Sequence, residues 1–210
     1  MYRTEPLQKY LDDLSSRMPA PGGGSSAALS GAMAAALFGM VLNFTIGNPK
    51  YGDFEKRAKD ILKISEGLRS KFTDLFEEDM VCFRAVSEAY KLPKETDPDK
   101  EKRKKAISDG LKKALMVPLQ VCRLSVEAIK LCPELARDAN KSMICDVEVP
   151  VRLLESAFYS ARINVVMNQK GIQDSAFNEK VSKEIIKLEE ELLNFKKISE
   201  GEIVKITGGH

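Results

Sequence analysis

Apolar residues along the chain recur at spacings of three and four, and the strict alternation of a half-buried strand is nearly absent. The longest run is Phe54, Ala58, Ile61, Ser65, Leu68, Phe72, Leu75, Asp79, Cys82 and Val86, a sustained heptad seam. This periodicity predicts a helix from Asp53 to Lys91, on the order of 55–60 Å long at the helical rise, ended by Leu92-Pro93. Before it, the pattern predicts a helix over Glu5–Ser16 and a second that starts after Gly22-Gly23-Gly24 and stops near Gly47-Asn48-Pro49. After it, a helix starts at Asp97-Pro98, read as an N-cap followed by proline, and continues to Cys132-Pro133 with a kink at Pro118. An irregular stretch, Asn140–Asp146, leads to a fifth helix ending at Gly171, and a sixth runs from Asp174 to near Gly201. Long helices joined by short turns predict an all-α antiparallel bundle that oligomerises through helix faces. No repeat or linker divides the chain, so residues 1–201 read as one domain and 202–210 as a tail.

The second helix differs from the others. From Met18 to Pro49 the chain has 32 residues without a charge, so a membrane span must be weighed. The segment is rich in Ala, Gly and Ser and holds Asn43 and Thr45, which weakens its drive into lipid, and its neighbours are amphipathic; it reads as a buried bundle helix. The glycines before it are no P-loop, because Gly24 is followed by Ser25-Ser26 rather than Lys-Ser/Thr. Gly22, Gly24 and Ala27 match G-x-G-x-x-A, but a helix and not a strand precedes them. Two readings remain. The glycines and small residues permit a turn and close helix packing, or the free N–H groups at Ser25 and Ser26 receive an anion or a polar carbonyl oxygen.

Charge and composition narrow the function. The 210 residues carry 33 basic and 31 acidic side chains, a balance that argues against a nucleic-acid binder. The four cysteines, Cys82, Cys122, Cys132 and Cys145, form no CxxC pair and read as buried free thiols of a reducing, cytoplasmic setting; the charged start of the chain shows no signal peptide. The single histidine, His210, is the last residue and is either native or the first residue of a tag. A Ser-His-Asp triad and an HExxH zinc site are thereby excluded within this chain, and acid–base chemistry falls to carboxylates, Lys, Tyr or Cys.

Asp79 is the candidate that the pattern itself exposes. It occupies a seam position between Leu75 and Cys82, where a carboxylate is costly unless paired or protonated. Either it is a buried structural ion pair or a catalytic acid–base. On the fifth helix Ala157, Ala161, Asn164 and Asn168 share one face, so two amides stack one turn apart, to fix register or to meet a flat heterocycle. Asp146 heads that helix and reads most simply as its N-cap. The segment Lys91–Lys105 has seven basic and four acidic residues, a solvated helix start that can also attract an anionic tail.

Three stretches in this order, "PAPGGGSSAAL", "EEDMVCFRAVSEAYKLPK" and "CDVEVPVRLLESAFYSARINVVMN", resemble the formiminotetrahydrofolate cyclodeaminase and methenyltetrahydrofolate cyclohydrolase family over nearly the whole chain. The resemblance implies an all-α bundle that forms dimers with active sites near the subunit contact. It places the family's catalytic aspartate on Asp79 and the folate-contacting glycine loop on Gly22, Gly23, Gly24 and Ser25. It also makes Tyr90, Lys94, Asp146, Asn164 and Asn168 substrate-lining. This chain departs from the family pattern at Cys145, where serine is usual before the aspartate, and at Pro150, where alanine is usual, which puts a hydroxyl role at position 145 in doubt. The implied activity is an ammonia-releasing cyclodeaminase of histidine degradation, which closes 5-formiminotetrahydrofolate to 5,10-methenyltetrahydrofolate. Hydrolysis of the methenyl bridge is the alternative, and a non-catalytic folate-binding or structural assembly is an alternative of another class. The implied enzyme needs no metal and no cofactor beyond its folate substrate. That substrate can carry a polyglutamate tail, and the expected partners are a second copy of the chain and a formiminotransferase, with no nucleic acid or membrane.

Overall fold

The computed structural model describes residues 2–208 and holds seven α-helices, with no strand among the described residues. They are α1 (Leu7–Ser15), α2 (Gly23–Asn43), α3 (Glu55–Tyr90), α4 (Asp97–Ile129), α5 (Cys132–Asp138), α6 (Ile144–Gln169) and α7 (Ser175–Thr207). The expected all-α class is what the chain adopts. Short 3-10 turns cover Tyr2–Thr4, Pro49–Phe54 and Lys141–Met143. His210 lies outside the described residues.

Four helices close a ring: α2 packs on α3 and α6, and α4 packs on the same two from the far side. Pairs such as Gly31 with Phe72 and Gly24 with Asp79 show α2 and α3 to be antiparallel. The small-residue face of α2 makes this approach possible. A Cβ on Gly31 would lie 2.4 Å from the Phe72 ring, so no larger residue fits there. Ala28, Ala34, Ala35, Phe38 and Leu42 are completely buried, so the uncharged helix is a core element, as its neighbours' amphipathicity predicted. Two hydroxyls lock it sideways: Ser65 donates to the Ala35 carbonyl at 2.8 Å and Ser30 to that of Leu153 at 2.9 Å. The outer helix α7 covers α4, α5 and α6.

Several boundaries differ from the sequence reading. Thr96, not Asp97, is the N-cap of α4, and its side chain accepts from the Asp99 N–H. Asp97 and Pro98 fall inside the first turn, where proline costs no hydrogen bond. The fourth helix stops at Ile129 and a short separate helix, α5, follows. Helix α6 begins at Ile144 with Met143 as N-cap, so Asp146 sits within its first turn and is not the cap. The predicted tail is mostly helix, because α7 runs on to Thr207 and buries Ile203. Gly201 is no stop, since a helix tolerates an isolated glycine at a cost of about 1 kcal/mol. The four cysteines are free, but only Cys122 and Cys132 are buried; Cys82 is half-buried and Cys145 is exposed on the first turn of α6.

Candidate active site

The heptad seam of α3 is buried at Ala58, Ile61, Ser65, Leu68, Phe72, Leu75 and Val86. Asp79 stands in that row, half-buried, where the N-terminus of α2 comes alongside. Among the described residues no cation pairs with it. What lies against it is the glycine turn at the start of α2, close enough that a Cβ on Gly24 would overlap the carboxylate. Burial pushes the Asp79 carboxyl above its ordinary range, and the Ser25 N–H acts weakly in the opposite sense. Among the described residues the fold therefore builds no ion pair at Asp79. Of the two readings of the α2 N-terminus, close packing or an anion site at Ser25 and Ser26, close packing is seen, with this internal carboxylate as the neighbour.

The glycines explain how the two meet. A Cβ on Gly24 would lie 2.1 Å from Asp79 Oδ1 and 2.5 Å from its carboxyl carbon. Only glycine lets the carboxylate reach the helix terminus. A Cβ on Gly23 would lie 3.8 Å from Asn164 Nδ2, so α6 closes the other side of the same turn. The turn is held from within: the hydroxyls of Ser25 and Ser26 both donate to the Gly22 carbonyl, at 2.8 and 3.0 Å, and the Gly22 N–H donates back to Ser25 Oγ at 3.2 Å. The Ser25 side chain is thus occupied with the turn.

The fold gathers Gly22–Ser25, Asp79 and Asn164 at one end of the bundle. The Asn164 amide nitrogen donates to the Ser160 carbonyl at 2.9 Å, which leaves its Oδ1 as the unused end of the amide. Asn168 lies one turn further along α6, half-buried. Beyond this level α3 and α4 continue as an antiparallel arm, and Tyr90 lies about 16 Å past Asp79 at the helical rise. Its exposed ring is covered by the Arg103 guanidinium at 5.7 Å, which also donates to the Tyr90 carbonyl at 3.1 Å. Lys94 is exposed at the tip of the arm. Asp146 is not brought to this cluster within one chain: it stands eighteen residues before Asn164 on α6, about 27 Å away. Sequence reasoning missed Tyr10, the only buried residue of α1, whose hydroxyl is 2.9 Å from Ser26 Oγ. The available signal was the spacing of Leu7, Tyr10, Leu11 and Leu14, which puts Tyr10 in the middle of the apolar face of α1.

The sequence model of the formiminotransferase-cyclodeaminase family matches residues 6–187. The chain belongs to the formiminotransferase-cyclodeaminase family. Within it, the methenyltetrahydrofolate cyclohydrolase of Methylorubrum extorquens is 44% identical over 185 residues, covering 88% of this chain and 89% of that protein. The formimidoyltransferase-cyclodeaminase of Sus scrofa is 33% identical over 187 residues, which cover 89% of this chain but 35% of that longer protein. The crystal structure of formiminotetrahydrofolate cyclodeaminase from Thermotoga maritima superposes with a TM-score of 0.89 at 28% identity, over 99% of this chain and 100% of that one. In this family member the matched region contains all the residues gathered at the α2 N-terminus.

Proposed function

We propose that this chain is an enzyme acting on the one-carbon unit held between N5 and N10 of a tetrahydrofolate, with Asp79 as its proton carrier. The observation that supports the reading is a half-buried carboxylate with no countercharge among the described residues, set against a glycine-opened helix end. Such a carboxylate stabilises a cationic carbon centre, and burial, by raising its affinity for a proton, suits it to take one up and pass it on. Of the two reactions in the family, hydrolysis of 5,10-methenyltetrahydrofolate is favoured, because the relative named for it is 44% identical over most of both chains.

In this reading the cationic methenyl carbon lies beside Asp79 and the amide of Asn164 faces the pterin. Water adds to the carbon and its proton passes to Asp79. The bond from carbon to N5 then breaks, the proton on Asp79 moves to N5, and the hydroxyl loses its proton as the formyl carbonyl forms. The products are 10-formyltetrahydrofolate and one proton. No electron changes hands, so the chemistry requires only orientation and proton movement.

Cyclodeamination is the second reading, favoured by the match to the Thermotoga maritima protein along the whole chain. There N10 attacks the protonated formimino carbon, Asp79 carries the N10 proton to the departing nitrogen, and ammonia leaves. A formiminotransferase would supply that substrate. Self-association belongs to the same proposal: Met33, Met40 and Phe44 form an exposed, uncharged stripe along α2, 47%, 39% and 58% accessible, that a second copy would cover. Purified protein incubated with each substrate separates the readings. Enzyme-dependent loss of methenyl absorbance without ammonia supports hydrolysis, ammonia release from 5-formiminotetrahydrofolate supports cyclodeamination, and neither would reject both.

A further inference from the structure

Helix α1 touches the rest of the molecule mainly through one side chain. Tyr10 is 3% exposed, and every other residue of α1 is half-buried or exposed. Its ring lies between Tyr2, at 5.5 Å and 79° between planes, and Phe76 of α3, at 5.0 Å and 58°. Phe76 is one turn before Asp79 on the same helix. The Tyr10 hydroxyl is 2.9 Å from Ser26 Oγ and 3.3 Å from Ser25 Oγ. Both serine hydroxyls are committed as donors to the Gly22 carbonyl, so the Tyr10 O–H is the donor in this cluster.

One side chain therefore grips both elements whose separation sets the contact between Asp79 and the α2 terminus. Its ring bears on α3 and its hydroxyl on the glycine turn. The tolerance at that contact is small, because a Cβ on Gly24 would already overlap the carboxylate at 2.1 Å. We infer that Tyr10 is a positioning residue for the carboxylate site, clamping the glycine turn against α3 so that the α2 N-terminus stays closed against Asp79. The inference rests on the proposed role of Asp79 as proton carrier.

The groups that face Asp79 are few. On α3 they are Glu78, next to it, and Cys82, one turn on, whose thiol is pushed up by burial and by the charges of Glu78 and Asp79 and pulled down by Lys113 of α4. Helix α2 carries no charge, and α6 brings the neutral Asn164. On α1, Lys9 and Asp13 are paired with each other at 2.6 Å. Loosening the turn changes two things at the carboxylate: it withdraws the Ser25 N–H, which holds the titration down, and it admits water, which relieves the burial that holds it up. Burial is the larger cause, so the titration moves downward.

The test is Tyr10→Phe, which keeps the ring and its packing and removes only the hydroxyl. The Asp79 carboxyl is followed by carbon NMR of protein with labelled aspartate, its signal assigned by its loss in Asp79→Asn. The expected result is a downward shift of that titration as water reaches the carboxylate, a fall in kcat of about tenfold from lost alignment with KM little changed, and a melting temperature close to the parent's. Ser26→Ala should move the titration the same way, and the double variant no further than either single one. An unmoved titration with parental kcat, or a kcat that falls only in step with lost folded protein, would overturn the clamp. The titration needs no substrate, so the two ideas fail separately. A shifted titration in a protein that turns over no folate keeps the clamp and removes the folate reading; an unshifted one in an active enzyme removes the clamp alone.

Discussion

At the C-terminal end of α2 the chain is tied down by a ring of paired polar groups; at its N-terminal end a carboxylate stands without a countercharge among the described residues. At the first end Thr45 is fully buried, donates to the Val41 carbonyl at 2.8 Å and accepts from the Asn140 N–H at 3.0 Å. Asn140 donates to the Phe44 carbonyl at 3.0 Å, and the Tyr51 hydroxyl donates to Asn140 Oδ1 at 3.3 Å while accepting from the Lys141 N–H at 2.9 Å. That end spends its polar groups on one another and stabilises the corner between α2 and α6. At the other end burial raises the Asp79 carboxyl and one backbone N–H is the only group that opposes it. A site kept at a cost to the fold is the signature of function, whereas satisfied polar groups at a helix end are the signature of architecture.

The largest expected effect falls on the open end. Gly24→Ala places a methyl where the Asp79 carboxylate now lies, so the carboxylate must swing away; turnover should fall by about 100-fold or more from lost alignment, with the helix itself retained. A variant that keeps parental kcat would show that the close approach has no role in the reaction. At the closed end the opposite pattern is expected. Asn140→Ala strips its side-chain bonds to the Phe44 carbonyl, Tyr51 and Ser142, and should cost about 1–3 kcal/mol of stability. Thermal unfolding should register that loss while turnover per folded molecule stays near the parent's, and a specific loss of kcat would blur the contrast between the two ends. The smallest effect belongs to the arm. Lys94, Lys102 and Lys104 make no ion pair through their side chains among the described residues, whereas Arg103 is engaged with Tyr90. Replacing these three lysines by Gln should weaken a polyglutamylated folate about threefold more than a monoglutamate, and the difference should fade at high salt. Equal affinities for both tails in the variant would leave the segment as a solvated helix start.

Much of this was legible in the sequence, for identifiable reasons. The 3–4 spacing of Phe54 to Val86 set the length and buried face of α3, and it exposed Asp79 because a carboxylate breaks an otherwise apolar row. The absence of charge between Met18 and Pro49 marked α2 as the core helix. Helix ends were less legible, because packing decides them: Gly201 stays helical since Ile203 has a core to fill, and Thr96 takes the cap that Asp97 also suits. Pair contacts between distant segments were not legible at all. Nothing local shows that Gly24 faces Asp79 or that Tyr10 reaches Ser26. Those depend on how antiparallel helices register, and side-chain periodicity constrains a helix face without fixing its slide along a neighbour.

The measurement that bears most directly on this account is Asp79→Asn, with turnover and thermal stability read on the same protein across pH. A carboxyl raised in the folded state holds its proton more tightly there than in the unfolded chain, so its ionised form costs stability at neutral pH, and that cost disappears as pH falls through the folded-state value. The account predicts that kcat falls by at least about 100-fold. It predicts also that the variant melts at or above the parent near neutral pH, with the advantage shrinking on acidification. Near-parental turnover in a folded Asp79→Asn protein, or a variant that melts well below the parent at neutral pH and loses activity only in step with unfolding, would contradict it.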